Sequence, residues 1–156
     1  MRVLSILIVS CAMTLYQNGK ALREEGKQVE AMQAFIEAAH SETEDEALLG
    51  RVYSNMANMC RQANDHETAY EVYEMSAVHF RKADDTLAYA YALNNMAWEQ
   101  AVRGEKERAL RLVDSALSIP LSAISRQTLQ AKVMETKAAA CLFRQEYDSE
   151  IGRAHV

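Results

Sequence analysis

Residues that interrupt helices are scarce in this sequence. It has five Gly and one Pro among 156 residues, well below average usage. Gly and Pro are the least favourable residues inside a helix, and Ala, Leu, Met, Glu, Gln and Arg are abundant, so the composition favours helices almost throughout. No stretch alternates apolar and polar residues over several positions, and the sequence therefore predicts no strands.

Cysteine pairs and catalytic motifs are also missing. The three Cys residues, at positions 11, 60 and 141, form no CxxC motif and no even-numbered framework, which argues against a disulfide scaffold. The His residues show no ligand spacing, and no phosphate loop or nucleophile motif occurs. We therefore expect no metal, no cofactor and no enzyme. The formal net charge of −5 argues against nucleic acid as a partner.

The first eleven residues allow two interpretations. The apolar run at residues 3–9 is followed by Cys11, and it is too short to span a bilayer. The letters IVSC at residues 8–11 resemble a bacterial lipoprotein cleavage box, in which Cys11 would be lipidated and would anchor the protein in the envelope. Alternatively, Leu4, Leu7, Ile8 and Cys11 form the buried stripe of a first helix, and a cytoplasmic protein is then equally compatible with the sequence.

The last residues, EIGRAHV at 150–156, break the pattern that precedes them. They resemble the translation of a sequencing adapter, and we predict that they are not part of the natural protein. The chain is then a fragment of a longer protein. This interpretation divides it into residues 1–11, a helical repeat domain at 12–149, and a non-native tail at 150–156.

A short motif occurs twice in the middle of the chain. Asn55-Met56-Ala57 recurs as Asn95-Met96-Ala97, a shift of 40 positions. An earlier copy fits at a shift of 38, and a partial later copy fits at about 41. In that later copy Met134, Ala138 and Cys141 take the places of Leu93, Ala97 and Gln100, and Tyr147 begins the next helix.

Each copy is predicted to be two helices joined by a tight turn, because its apolar residues follow 3–4 spacing. Asp65, after Asn64, and Asp85, after Asp84, are placed to cap the helices that follow them. Ser41 and Glu44 have the spacing of a capping box. One hairpin cannot bury both of its faces, whereas stacked hairpins can bury them against one another.

Five residues of the first copy carry a resemblance to a known family. Gly19, Gly26, Ala31, Phe35 and Ala38 stand at spacings of 7, 5, 4 and 3, which resembles the tetratricopeptide repeat signature. The resemblance implies an all-α, right-handed α-solenoid of antiparallel helical hairpins, with three repeats and the first helix of a fourth. It also places the small residues where the helices approach closest. The period exceeds the family's usual length, as in long-period bacterial members.

The resemblance further implies a concave groove lined by the first helix of each repeat. Asn side chains there would hold a peptide backbone, Lys and Arg would hold carboxylates, and Trp98 would be a binding hot spot. The alternative is a solvated face with Trp98 packed on a neighbouring helix. The predicted groove residues are Lys20, Arg51, Asn55, Asn58, Arg61, Tyr91, Asn94, Asn95 and Trp98, with Tyr16, Arg23 and Lys132 beside them.

The function predicted from this resemblance is a non-catalytic scaffold that binds a partner peptide or helix. The alternative is the sensory or oligomerisation region of a larger bacterial signalling or transcription regulator. Self-association is left open, and a membrane is involved only if Cys11 is lipidated. Met56, Met96, Cys60 and Cys141 are interpreted as core residues, since they hold equivalent positions in the copies.

Overall fold

The computed structural model describes the backbone of residues 2–154 and the side chains of residues 11–143. This part of the chain is entirely helical and contains no strand, which confirms the all-α prediction. Each helix packs on the one that follows it, and the fifth also packs on the seventh. The helices are α1 (Arg2–Glu24), α2 (Gln28–His40), α3 (Glu46–Gln62), α4 (His66–Lys82), α5 (Thr86–Val102), α6 (Lys106–Ser118) and α7 (Ala123–Ala154).

Four of the connections are turns of the same design. The middle residue of each is in the left-handed region, at Gly26 (φ 79°), Asn64 (φ 59°), Asp84 (φ 54°) and Gly104 (φ 79°). Gly adopts this conformation without strain, and Asn and Asp tolerate it better than other residues. Gly26, Asn64 and Gly104 are separated by 38 and 40 residues, so the turns obey the same shifts as the sequence copies.

Three helices begin at an Asp whose carboxylate caps the first turn. Asp45, Asp65 and Asp85 accept hydrogen bonds from the third backbone N–H of α3, α4 and α5, at 2.8, 3.1 and 3.0 Å. Each bond satisfies an N–H that the helix itself leaves unpaired. The capping roles predicted for Asp65 and Asp85 are confirmed.

The capping box predicted at Ser41 and Glu44 is wrong. Ser41 instead closes α2, where its Oγ donates to the Ala38 carbonyl at 2.6 Å. The chain then runs as a loop until Asp45, which lies directly before α3 and takes the capping role. The spacing pattern could not locate the helix start, because several residues that are able to cap stand close together here.

The core is built from small residues at the helix crossings and larger ones between hairpins. Ala31, Ala57, Ala69, Ala97 and Ala109 are all fully buried, as the repeat alignment predicted. One cluster surrounds Phe35, Leu48 and Val52 between α1, α2 and α3, and a larger one surrounds Tyr73, Val113 and Leu129 between α4 and α7. Met96 lies in the larger cluster, and Met56 packs against the smaller one.

The seventh helix differs from its prediction. It runs without a break from Ala123 to Ala154, so no new helix begins at Tyr147. The buried stripe is Leu129, Val133, Thr136 and Ala140, and it packs on α5 and α6.

Met134, Ala138 and Cys141, which the alignment placed in the core, are exposed on the other side of α7. The equivalent side of α3 is covered by α4, and that of α5 by α6. No further helix covers this side of α7 within residues 2–154, and that explains the exposure.

One close approach in the hairpin of α3 and α4 gives a stability test. A Cβ added at Gly50 would lie 2.7 Å from the ring of Phe80. Ala normally stabilises a helix relative to Gly by about 1 kcal/mol. We expect Gly50→Ala instead to lower the free energy of unfolding by about 1–3 kcal/mol, because the clash outweighs the gain in helix propensity.

Urea unfolding followed by circular dichroism measures this change. Gly50→Ala combined with Phe80→Leu should recover part of the loss, and Asn18→Ala at an exposed helix position serves as the control. A Gly50→Ala protein more stable than wild type would show that the two helices do not approach this closely.

Candidate functional site

Polar side chains link the odd-numbered helices to one another. Arg23 on α1 donates through Nη1 to Asn55 Oδ1 on α3 at 2.6 Å. Arg61 on α3 reaches α5, where it donates to the Glu99 carboxylate and, at 3.5 Å, to the Asn95 carbonyl. We call these five residues, Arg23, Asn55, Arg61, Asn95 and Glu99, the polar row. It places α1, α3 and α5 side by side along one face.

The polar row ends on α5 at Glu99, whose carboxylate is buried. This side chain is 0% exposed, and it accepts a hydrogen bond from Arg61 Nε while its other oxygen lies 2.7 Å from Nδ1 of His66 on α4. A buried carboxylate is costly unless it is paired and hydrogen-bonded. The pair therefore fixes α3, α4 and α5 relative to one another.

Arg61 and Asn58 are also engaged by Tyr73 on α4. The Arg61 guanidinium lies 4.9 Å from the centre of the Tyr73 ring, and Tyr73 donates to Asn58 Oδ1 at 2.6 Å. Burial raises the pKa of Tyr73, so its hydroxyl keeps its proton and remains a donor. Asn58 and Arg61, predicted as groove residues, thus make contacts within the protein.

Asn94 is not available as a groove residue either. It is 5% exposed and accepts a hydrogen bond from Thr136 of α7 at 3.0 Å. This hydrogen bond joins α5 to α7, and the buried Thr136 hydroxyl also lies 3.3 Å from the Lys132 carbonyl of its own helix. Asn94 is therefore a packing residue and does not line an open surface.

The remaining predicted residues keep part of their surface in solvent. Lys20 lies with Nζ 5.7 Å from the centre of the Tyr16 ring, and Tyr16 itself is buried. Arg51 is exposed, and its carbonyl accepts from Asn55. Trp98 is half-buried against the small alanine cluster between α5, α6 and α7, and Tyr91 packs partly on the larger core. Lys132 is exposed and pairs with Glu135 on α7.

A second candidate site lies on the other side of the first hairpin. α2 and the end of α3 enclose an open groove of about 740 Å³, which we call the apolar groove. Val29 at its rim is 79% exposed, and Asp65 is the only charged residue among its described lining residues. The lining residues are Gln28, Val29, Met32, Gln33, Ile36, Met59, Cys60, Gln62, Ala63 and Asp65.

Sequence reasoning missed both the apolar groove and Glu99. The groove had a readable signal: Val29, Met32 and Ile36 follow helical spacing outside the core stripe of Ala31, Phe35 and Ala38. α2 is therefore apolar on two faces, although one suffices for packing. No pattern in the sequence indicated that Glu99 is buried, since a single Glu in a helix usually lies on the surface.

The thiol of Cys60 lies at this groove. Burial raises its pKa, and the negative charge of Asp65 raises it further. Hydrogen bonds from the Thr68 side chain and then from its backbone N–H lower the pKa of Asp65, which keeps that carboxylate charged.

Cys11 and Cys141, by contrast, are exposed free thiols. The core role predicted for Cys141 is thus wrong, and so is the buried position considered for Cys11. Leu4, Leu7 and Ile8 lie outside the residues whose side chains are described. The lipidation of Cys11 remains a prediction.

Comparison with known proteins gives no match, either to a protein-family model or to a curated protein. Among the residues that the structure describes, no helix combines the length and the apolarity needed to cross a membrane.

The Glu99 pair predicts a large asymmetry between two arginines. Arg61→Met leaves a buried carboxylate without its main partner, and we expect it to lower the free energy of unfolding by about 3–5 kcal/mol. Arg103→Met removes an exposed pair with Glu67, whose charged atoms are 3.7 Å apart, and should cost at most about 1 kcal/mol.

The double variant Arg61→Met/Glu99→Leu should be more stable than the sum of its single changes predicts, because no charge is left buried. Chemical unfolding of the wild type, Arg61→Met, Glu99→Leu and the double variant measures the coupling energy between Arg61 and Glu99. Equal costs for Arg61→Met and Arg103→Met would contradict the burial of Glu99.

The raised pKa of Cys60 predicts slow alkylation. In a Cys11→Ser/Cys141→Ser protein, the pH at which Cys60 reacts with iodoacetamide at half its maximal rate should be higher in the folded state than in concentrated urea. The reason is that burial and Asp65 both disfavour the reactive thiolate. Mass spectrometry of the modified protein follows the rate. A folded midpoint at or below the unfolded one would rule out this environment.

Proposed function

We propose that this chain is a non-catalytic protein–protein interaction scaffold of the tetratricopeptide type, with three hairpin repeats and the first helix of a fourth. The matching shifts of the sequence copies and of the left-handed turn residues support a repeated hairpin. The fully buried alanines support the close helix crossings that the family uses.

The polar row is the observation that carries the binding proposal. It aligns α1, α3 and α5 along one face, so their exposed side chains form one continuous surface for an extended peptide or a helix. The charge of Arg61 is already neutralised by Glu99. The basic groups left for a partner are Lys20 and Arg51, near the first two hairpins, and the aromatic ones are Tyr91 and Trp98 on α5.

The partner segment should therefore carry an acidic residue toward α1 and α3 and an apolar residue toward α5. The Asn55 amide is already hydrogen-bonded to Arg23 and to the Arg51 carbonyl. Asn95 on α5 is partly exposed, and its amide is suited to hold a peptide backbone. A binding peptide selected from a displayed random library against the wild-type chain provides the probe.

We expect Arg51→Glu to weaken the binding of that peptide by about tenfold or more, because the new carboxylate repels the peptide's acidic residue. Arg111→Glu, an equally charged change at an exposed position of α6, is the matched control. The fluorescence of Trp98, the only Trp, should change on binding. Selected peptides that bind Arg51→Glu unchanged and leave Trp98 fluorescence unaltered would refute this surface.

The exposed side of α7 favours one alternative, a sensory or oligomerisation region of a larger bacterial regulator. Met134 is 71% exposed and Leu142 is 62% exposed, and they share one side of the helix with Ala138. An unpartnered apolar helix face is typical of an interface. Sedimentation of the wild type should then show a concentration-dependent dimer that Met134→Glu/Leu142→Glu abolishes and Val78→Glu on α4 retains. A monomer at all concentrations would discard this alternative.

A further inference from the structure

A second cavity lies one hairpin further along the chain from the apolar groove. It measures about 390 Å³ and is bordered by α4, the end of α5 and α6. We call it the acidic cavity, because three of its residues are carboxylates on one face of α4. Its lining residues are Glu67, Tyr70, Glu71, Glu74, Gln100, Arg103 and Arg108.

The two cavities occupy equivalent positions in successive hairpins. A shift of 38 carries Val29, Gln33 and Ile36 of α2 onto Glu67, Glu71 and Glu74 of α4, and it carries Met32 onto Tyr70. A shift of 40 carries Cys60 and Ala63 onto Gln100 and Arg103. The same place on the fold is therefore apolar in one hairpin and acidic in the next.

Residues around the start of α4 border both cavities. Asp65, the residue before α4, lines the apolar groove, and Glu67, in the first turn, lines the acidic cavity. A ligand that fills the groove and continues past this turn thus passes from apolar side chains to carboxylates. Among the described residues that line the groove, Asp65 is the only charged one, and it is itself negative.

Not all of the charge in the acidic cavity is open to a partner. Arg103 lies 3.7 Å from Glu67, and Arg108 lies 3.9 Å from Glu105 outside the cavity. Glu71 and Glu74 have no ion pair within the part of the chain whose side chains are described. No three or more His, Cys, Asp or Glu side chains in that part could together hold a metal ion. The free carboxylates thus suit an organic cation.

Gln100 supplies an independent sign of a missing donor. Its side chain lines the acidic cavity and is 3% exposed, and its Oε1 has no hydrogen-bond partner among the described residues. Buried side-chain acceptors are nearly always satisfied in folded proteins. The oxygen is itself out of contact with solvent, so a protonated amine or guanidinium in the cavity donates to it when the Gln100 amide turns toward the cavity.

We propose that the apolar groove and the acidic cavity together bind one basic amphipathic helix of a partner protein. Its apolar face lies against Val29, Met32 and Ile36, which stand on one face of α2, as in helix-in-groove recognition. Its Lys or Arg residues reach Glu71 and Glu74. This surface belongs to the even-numbered helices and is separate from the polar row, so either proposal can fail without the other.

The probe is a helical peptide of about 18 residues, or five turns, made of Leu and Lys in amphipathic order. Two further peptides carry Glu in place of Lys, or Ser in place of Leu. Fluorescence anisotropy measures their binding to the full chain. We expect the Leu/Lys peptide to bind, with an affinity that falls as salt is raised, and the other two peptides to bind at least about tenfold more weakly.

Matched variants locate the binding. Val29→Asn/Ile36→Asn should weaken the binding of the Leu/Lys peptide by about tenfold. Ile124→Asn, at an α7 position about as exposed as Val29 (81% against 79%), should leave that binding unchanged. Glu71→Gln/Glu74→Gln should weaken the binding of the Leu/Lys peptide mainly at low salt, so that the affinity depends less on salt. Glu107→Gln on α6 is the control. In the Cys11→Ser/Cys141→Ser protein, the bound peptide should protect Cys60 from alkylation.

Three results would overturn the proposal. The first is a Leu/Lys peptide that does not bind, or that binds equally to Val29→Asn/Ile36→Asn. The second is a Leu/Glu peptide that binds as tightly as the Leu/Lys peptide. The third is a dimer of the free chain that Val29→Asn/Ile36→Asn abolishes, because the groove would then be filled by a second copy.

Discussion

The carboxylate of Glu99 is the group on which the arrangement of the central helices depends. It lies out of contact with water between α3, α4 and α5, and it is held by Arg61 and His66. Because a buried charge is tolerated only with close partners, these helices have one arrangement that satisfies it. Arg61 is fixed further by the Tyr73 ring, and Tyr73 by Asn58, so the constraint extends into the hairpin of α3 and α4.

Internal contacts also decide which of the predicted groove residues remain at the surface. Arg61 and Asn94, which would suit a peptide groove, are used in packing, while Arg51 and part of Trp98 remain at the surface. On the even-numbered helices the same position is apolar beside Val29 and acidic beside Glu71. Equivalent positions that need not pack have therefore diverged between successive hairpins.

The sequence predicted those features that recur at every hairpin. The all-α class, the buried alanines and the caps at Asp65 and Asp85 follow from local patterns that hold in any context. The sequence did not predict features that depend on long-range contacts. The burial of Glu99 is one of them, because it depends on partners 38 and 33 residues away. The sequence prediction also failed at Ser41, because several residues that are able to cap stand close together there, and at Tyr147, where α7 continues without a break. The groove was missed because a second apolar face on α2 looks like extra core.

Native-state hydrogen exchange tests the central role of the buried carboxylate most directly, since it reports the opening of each helix in the unmodified protein. If Glu99 binds α3, α4 and α5 into one unit, their slowest amides share a single opening free energy, equal to that of global unfolding, and α1 and α2 open more easily. An α5 that exchanges through its own lower-energy opening, while α3 and α4 stay protected, would contradict the account.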